Sequence, residues 1–259
     1  MQSGRPSTRV YTAPALSKGL DILEALASER NGQTQVEIAK RLERSTSEIY
    51  RMLAVLRQRG YVELGPDDRY RLTTKLFEIA HRHPPIRRLT AIAGEEMQRL
   101  ANRIDQSVHL CILHTGKLLV IAQVDCPGNT ISTVRLGAQF EIYNSASGRV
   151  LAAFMGAREL DHLMAIAGPT SEAERATFLA DIAAIRELGY YQGPSLLIEG
   201  VVNLSAPVFD DSGTVIAAIT TPFIRRLSGT ETMCVDAARA VMVEICRDLS
   251  RRMGSGAAI

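Results

Sequence analysis

Thr34-Gln35-Val36-Glu37-Ile38-Ala39-Lys40-Arg41-Leu42-Glu43-Arg44-Ser45-Thr46-Ser47-Glu48-Ile49-Tyr50-Arg51-Met52-Leu53-Ala54-Val55-Leu56-Arg57-Gln58-Arg59 decides the fold. Val36, Ile38, Ala39 and Leu42 are the apolar positions of one short helix. Ile49, Met52, Leu53 and Leu56 recur at helical spacing in a second. Glu43-Arg44-Ser45 leaves no room for a long loop between them. Ser45 suits an N-cap, and Glu48 three residues on completes a capping box. Two helices joined this tightly, the second opening on Ser-Thr-Ser and carrying Tyr50 and Arg51 outward, read as a helix-turn-helix. Alone, the pattern also suits an ordinary helical hairpin in a larger core.

The flanks narrow the choice. Upstream, Leu16, Leu20, Leu23 and Ala27 make a helical stripe that ends near Ser28, before the stop signal Asn31-Gly32. Downstream, Gly60 ends the second helix, and Tyr61–Leu64 reads as a strand. Gly65-Pro66-Asp67-Asp68 is turn chemistry, and Arg69–Leu72 returns as a second strand with Arg69 and Arg71 on one face. Three helices followed by a basic hairpin form a winged helix-turn-helix, which points to DNA. Thr73 or Thr74 caps a further helix through His81, and His83-Pro84-Pro85 stops it. A DNA-binding domain is thus expected over residues 14–83, behind a flexible arm of residues 1–13.

Ile86, Leu89, Ala93, Met97, Leu100 and Ile104 form one stripe, so residues 84–105 read as a linker helix. Such a helix either pairs with its copy in a dimer or packs on its own second domain. Within residues 106–253, strands are expected at Val108–His114, Leu118–Val124, Thr130–Arg135, Val201–Phe209 and Val215–Thr221. Helices are expected at 149–155, 157–166, Ser171–Leu188 and Thr230–Met253, with a loose tail over 254–259. Mixed in this way they predict an α+β sensor-like domain with an antiparallel sheet.

The net charge of +2 conceals an asymmetry. Residues 1–90 carry 16 Lys and Arg against 10 Asp and Glu, whereas residues 91–259 carry 14 against 18. A polyanion partner is therefore expected for the first part only. No apolar run is long enough to span a bilayer, and Met1–Pro14 has no apolar signal core, so a cytoplasmic protein without membrane contact is expected. Cys111, Cys126, Cys234 and Cys246 are far apart and form no Cys-x-x-Cys pair, which fits reduced thiols better than a disulfide frame or zinc site.

At several stretches the chain resembles the IclR family of transcriptional regulators. These are Ala-Leu-Ser-Lys-Gly-Leu-Asp-Ile-Leu at 15–23 and Ser-Glu-Ile-Tyr-Arg-Met-Leu-Ala-Val-Leu at 47–56. Arg-Leu-Gly-Ala at 135–138, Ser-Ala-Ser-Gly-Arg-Val-Leu-Ala-Ala-Phe at 145–154 and Glu-Gly-Val-Val-Asn-Leu-Ser-Ala-Pro-Val-Phe-Asp at 199–210 continue it. The resemblance runs from about Ala15 to Arg252. It implies a winged helix-turn-helix joined by a linker helix to a GAF-like α/β effector-binding domain, and homodimers that often pair into tetramers on operator DNA.

A recognition helix from Ser45 to Arg59 would lie in the major groove with its first residues at the base edges. Thr46, Ser47 and Tyr50 are then the base or sugar contacts, with Ser45 beside them. Arg51 reads guanine or grips phosphate, Gln35 is placed for the DNA backbone, and Arg69 and Arg71 meet phosphate or the minor groove. Asn144-Ser145-Ala146-Ser147-Gly148 precedes a helix expected near Arg149, and exposed N–H groups at a helix start bind carboxylates. The resemblance assigns the effector site to Phe140, Tyr143, Ser145, Ala146, Ser147, Asn203, Ser205 and Thr220. Asn203 stands where many members have cysteine, and Thr220-Thr221-Pro222 replaces a more usual serine-rich stretch, so the ligand's identity stays open. The polar set favours a small hydroxylated or carboxylated metabolite, with Arg135 and His109 as candidate counter-charges.

Rival readings are weaker. Ser147-Gly148 is not a Gly-x-Ser-x-Gly elbow, because position 145 is Ser. His109 and His114, five apart in a strand, point to opposite faces, and His81 and His83 lack nearby carboxylate or thiol partners for a metal. There is no Walker loop and no Gly-x-Gly-x-x-Gly, so neither catalytic residues nor a cofactor is expected. A purely architectural DNA binder would not need the long acidic second part. The expectation is a ligand-responsive repressor or activator of metabolic genes.

Overall fold

The computed structural model describes residues 13–82, 84–128, 134–169, 171–225 and 233–256. The chain divides into two compact units, one through residue 84 and one from residue 85.

In the first unit, α1 (Pro14–Ala27) is followed by α2 (Gln35–Arg41) and α3 (Thr46–Gln58). Both later helices open on a complete capping box: Thr34 with Glu37, and Ser45 with Glu48. Two orphan donors are satisfied at each start, which fixes the beginnings of two short helices that would be marginal alone. The corner between them turns through Glu43, at φ 52°, a left-handed residue that lets four residues reverse the chain. Strands β1 (Val62–Leu64) and β2 (Tyr70–Leu72) form the antiparallel wing, with Val62 opposite Leu72. Ile22, Leu26, Ile38, Ile49, Leu53 and Val62 share one core with the wing's inner face. Of the stripe expected on α1 only Leu23 is buried, Leu16, Leu20 and Ala27 being exposed, as is Val36 of α2, because α1 turns its Ile22, Ala25 and Leu26 side inward. The first unit is a winged helix-turn-helix, completed by α4 (Lys75–Arg82), whose Lys75 N–H is accepted by Thr73 Oγ1.

In the second unit, α5 (Pro84–Ile104) begins on the two prolines expected to end the domain before it, since proline is tolerated in a first helical turn. Its stripe of Leu89, Ala93, Met97, Leu100 and Ile104 is buried in the core of this unit. The sheet runs β5-β4-β3-β8-β7-β6 and is antiparallel throughout. Its strands are β3 (Val108–His114), β4 (Lys117–Val124), β5 (Gln139–Phe140), β6 (Tyr191–Pro194), β7 (Val202–Phe209) and β8 (Val215–Phe223). Alternation sends Val108 and Leu110 of β3, Leu204, Ala206 and Val208 of β7, and Ala217 and Ile219 of β8 to one face. There they meet α5 and α9 (Val235–Arg252). Cys111, Val120 and Ala218 face the other way, onto α6 (Ala146–Phe154), α7 (Ala157–Ala167) and α8 (Glu172–Leu188). The result is an α+β domain of three layers with a core on each side of the sheet.

Several expectations need correction. Of the strand expected at Thr130–Arg135, residues 130–133 lie outside the described residues, and Val134 and Arg135 are not in a strand. The neighbour of β4 is instead the two-residue β5, with Leu118 opposite Phe140. The helix expected from 149 starts three residues earlier, at Ala146, because Ser145 caps it. The last helix starts at Val235, residues 230–232 lying outside the described ones. The expected loose tail is held at its start: Ser255 is buried and donates its N–H to the Ser250 carbonyl.

Candidate functional site

The first candidate surface is the head of α3. Ser45 spends its hydroxyl on the cap, accepting from Glu48 N–H and lying 3.0 Å from a Glu48 carboxylate oxygen. Lys18 of α1 reaches the same carboxylate at 2.6 Å. The Lys18 hydrogen bond, with those from Ser45, holds the Glu48 carboxyl down at about 2. Gln35 donates its side-chain amide to the Thr46 carbonyl at 2.9 Å and so ties the two helix starts together. Thr46, Ser47, Tyr50 and Arg51 are exposed on the same end of α3, Tyr50 at 58 %. Among the described residues the Arg51 side chain forms no ion pair or hydrogen bond. The same holds for the side chain of exposed Arg44 in the corner, a cation the sequence reading passed over although its place in the turn signals it.

The wing differs from expectation. Arg69 is not a free cation: it holds both Glu37 oxygens at 3.0 and 3.1 Å and the Gly32 carbonyl at 2.9 Å. Arg71 grips Asp67 across the hairpin turn, at 2.9 Å for one of its two bonds. Both arginines therefore brace the wing, and their charge is largely offset by their own carboxylates. The unpaired positive charge of this end sits on Arg44 and Arg51 instead.

The second candidate site is a cavity of about 80 Å³ at the head of α6. Phe140, Ser145, Ala146, Ser147, Asn203 and Thr220, all expected, line it. Tyr143 does not; it packs in the core beneath α6. Ser205 is fully buried one layer behind, 2.7 Å from Thr220 Oγ1. Thr220 Oγ1 is also 2.7 Å from Ser147 Oγ, so three hydroxyls form a chain from the sheet to the helix head. Asn144 and Pro222, quoted only as parts of their stretches, also line it, and Leu118, Val134, Ser195, Leu197 and Ile198, which were not singled out, complete the lining from other segments.

The head of α6 is built for close approach. Ser145 caps it by accepting the Gly148 N–H and donating to the Ile142 carbonyl. A side chain at position 148 would place its Cβ 2.1 Å from the Ile142 carbonyl oxygen, so only glycine lets the turn press onto the helix. The first N–H groups of a helix have no partner within it, and those of Ala146 and Ser147 remain available beside the cavity. With the macrodipole they favour an anion.

Of the two expected counter-charges, Arg135 is exposed and not part of the lining. His109 is part of it, only 7 % exposed, and burial pushes its pKa down to about 4, so the ring is neutral at physiological pH. Arg149, on the same helix, is buried against Asp181 at 2.7 Å and does not reach the lining. The cavity thus holds a few polar groups in a mostly apolar wall and no cation among its lining residues. Among the described residues no group of His, Cys, Asp and Glu is placed to hold a metal ion, and no helix is long and apolar enough to cross a membrane.

Known proteins place these features in one family. Residues 15–66 match the IclR helix-turn-helix domain, and residues 86–251 match the C-terminal domain of bacterial transcriptional regulator IclR. The HTH-type transcriptional regulator KdgR of Escherichia coli (strain K12) is 30% identical over 213 residues, covering 80% of each chain. The HTH-type transcriptional repressor AllR of the same strain is 25% identical over 248 residues, covering 92% of this chain and 88% of its own. An IclR homolog from Microbacterium hydrocarbonoxydans, solved in complex with 4-hydroxybenzoate, superposes with a TM-score of 0.76 at 21% identity, over 92% of this chain and 98% of its own. The chain belongs to the IclR family of bacterial transcriptional regulators, DNA-binding proteins with a domain that takes a small-molecule effector.

Proposed function

We propose that the protein is a cytoplasmic homodimer, or a pair of dimers, that regulates metabolic genes, catabolic ones above all, by binding operator DNA through α3 and sensing a small organic acid or related metabolite in the cavity at α6. The observation that carries the reading is the pairing of an α3 head with Thr46, Ser47, Tyr50 and Arg51 exposed and a cation-free, mostly apolar cavity whose polar groups gather at a capped helix start. Thr46, Ser47 and Tyr50 meet bases or sugars, and Arg51 meets a guanine or a phosphate. Gln35 and Ser45 set the angle and start of α3, and Arg69 and Arg71 stiffen the wing while their outward edges lie near phosphate. In the second unit, Phe140, Ser145, Ala146, Ser147, Asn203 and Thr220 contact the effector, with Ser205 supporting Thr220 from behind. Tyr143, in the underlying core, shapes the wall.

The DNA half of the reading is tested with Arg51→Ala on operator and scrambled duplexes at one salt concentration. If Arg51 reads a base, specific affinity falls by about 1–3 kcal/mol and scrambled-duplex affinity changes little. Equal losses on both duplexes make it a phosphate contact. No loss on either removes Arg51 from the interface.

A further inference from the structure

We propose that Arg44, in the corner of the helix-turn-helix, grips a DNA phosphate beside the head of α3 and supplies part of the sequence-independent affinity. The proposal deepens the reading of α3 as the DNA-facing helix and rests on it. Three observations support it.

The first is where the positive charge of the first unit goes. Lys18 is paired with Glu48 at 2.6 Å, Arg41 with Glu29 at 2.7 Å, Arg69 with Glu37 at 3.0 Å and Lys75 with Glu78 at 3.1 Å. Arg71 is spent on Asp67. A cation that keeps its own carboxylate adds little net charge toward a phosphate, so the wing is a weak source of the counterion release that drives DNA binding. Among the described residues, the side chains of Arg30, Lys40, Arg44, Arg51, Arg57 and Arg59 form no ion pair or hydrogen bond.

The second is place. A recognition helix lies in the major groove with its first residues at the base edges, while the helix before it crosses the DNA backbone. The corner that joins α2 to α3 therefore lies over the rim of the groove, where the phosphates run. Arg44 is in that corner, immediately before the N-cap Ser45, and it is exposed. The other cations without partners are placed differently. Arg57 and Arg59 lie at the far end of α3, roughly 16 Å from its head. Lys40 is in the last turn of α2, where a cation offsets the negative end of its own helix. Arg30 belongs to the link from α1 to α2. Only Arg51 shares the head of α3 with Arg44.

The third is a fixed backbone. The Arg44 N–H donates to the Ala39 carbonyl at 2.9 Å, and the Glu43 N–H donates to the Lys40 carbonyl at 3.3 Å. On the other side, the Ser45 N–H donates to the Glu48 carboxylate. A side chain on a held corner gives up less freedom on binding than one on a loose loop. The planar guanidinium fork matches two oxygens of one phosphate.

The test needs no known operator, because a phosphate contact shows on any duplex that binds. Anisotropy of the full chain is measured on a duplex from upstream of its own gene and on a scrambled one, over about 50–200 mM salt. Arg44→Ala should weaken both duplexes by the same factor and flatten the plot of log affinity against log salt by about 0.9 per bound chain. Across that range the unmodified chain should lose about 3.5-fold more affinity per bound chain than the variant. Arg44→Lys, which keeps the charge, should restore the slope, and Arg59→Ala should leave it unchanged. An unchanged slope in Arg44→Ala, a loss confined to one duplex, no recovery in Arg44→Lys, or an equal flattening in Arg59→Ala overturns the proposal. If Arg51→Ala weakens binding and Arg44→Ala does not, only this proposal falls. If neither does, the head of α3 is not at the DNA and the reading of α3 falls with it.

Discussion

At the residue scale, the site depends on a few side chains whose surroundings decide their roles. Gly148 is one, since any Cβ there collides with the Ile142 carbonyl. Gly148→Ala should cost about 1–3 kcal/mol in chemical denaturation and weaken effector binding; unchanged stability would mean that the turn at Ile142 yields freely. His109 is another. Burial holds its pKa at about 4, below the ordinary 6.5 of a histidine, so between those values the unfolded chain binds the extra proton. The ligand-free protein should keep this contribution above about pH 6.5 and lose it progressively as the pH falls toward 4. Denaturation curves of wild type and His109→Asn should therefore diverge in stability across that window, and parallel curves would contradict the buried neutral ring. Arg69 and Arg71 show what sequence alone conceals. Their basic, alternating pattern was legible, but their partners Glu37 and Asp67 are set by the packing of α2 on the wing and by the hairpin turn.

At the element scale, the helix pair was legible because its information is local: two apolar stripes, two capping boxes and a corner too short for a loop. Ser45→Ala removes one of those caps and should cost about 1 kcal/mol of stability, read in thermal or urea unfolding, together with DNA affinity. A loss of DNA affinity alone would make Ser45 a contact rather than a cap. Elements defined by their partners were not legible. The two residues of β5 are a strand only because β4 lies beside them, and β6 contains Gly193 and Pro194, which argue against a strand until β7 pairs with it. The start of α6 was also hidden, since Ala146-Ser147-Gly148 has no apolar stripe and is helical because Ser145 caps it. For the same reason about half of the cavity was foreseen. The residues next to the cap were named, whereas Ser195, Leu197 and Ile198 enter from the link between β6, itself unforeseen, and β7.

At the scale of the whole molecule, the sequence's charge asymmetry makes the first unit the basic one, which suits a polyanion there. The second unit is tied together across its helical layer by ion pairs between α5 and α9, with Arg103 on Glu244, Arg99 on Asp248, and Arg252 on Glu95 and Glu96. A regulator of this kind works through a coupling free energy between its two ligands, typically about 1–3 kcal/mol, which corresponds to about 5–150-fold in affinity. The coupling is reciprocal, so DNA must shift the affinity for the acid by the same factor as the acid shifts the affinity for DNA. The most direct test is fluorescence anisotropy of the full chain on duplex DNA from upstream of its own gene and on a scrambled duplex, at fixed salt, with and without a panel of small organic acids. Preference for the upstream duplex, changed by about fivefold or more when one acid is present, is the expected result. Equal affinity for both duplexes, unmoved by every acid, would contradict a ligand-responsive regulator acting at that DNA.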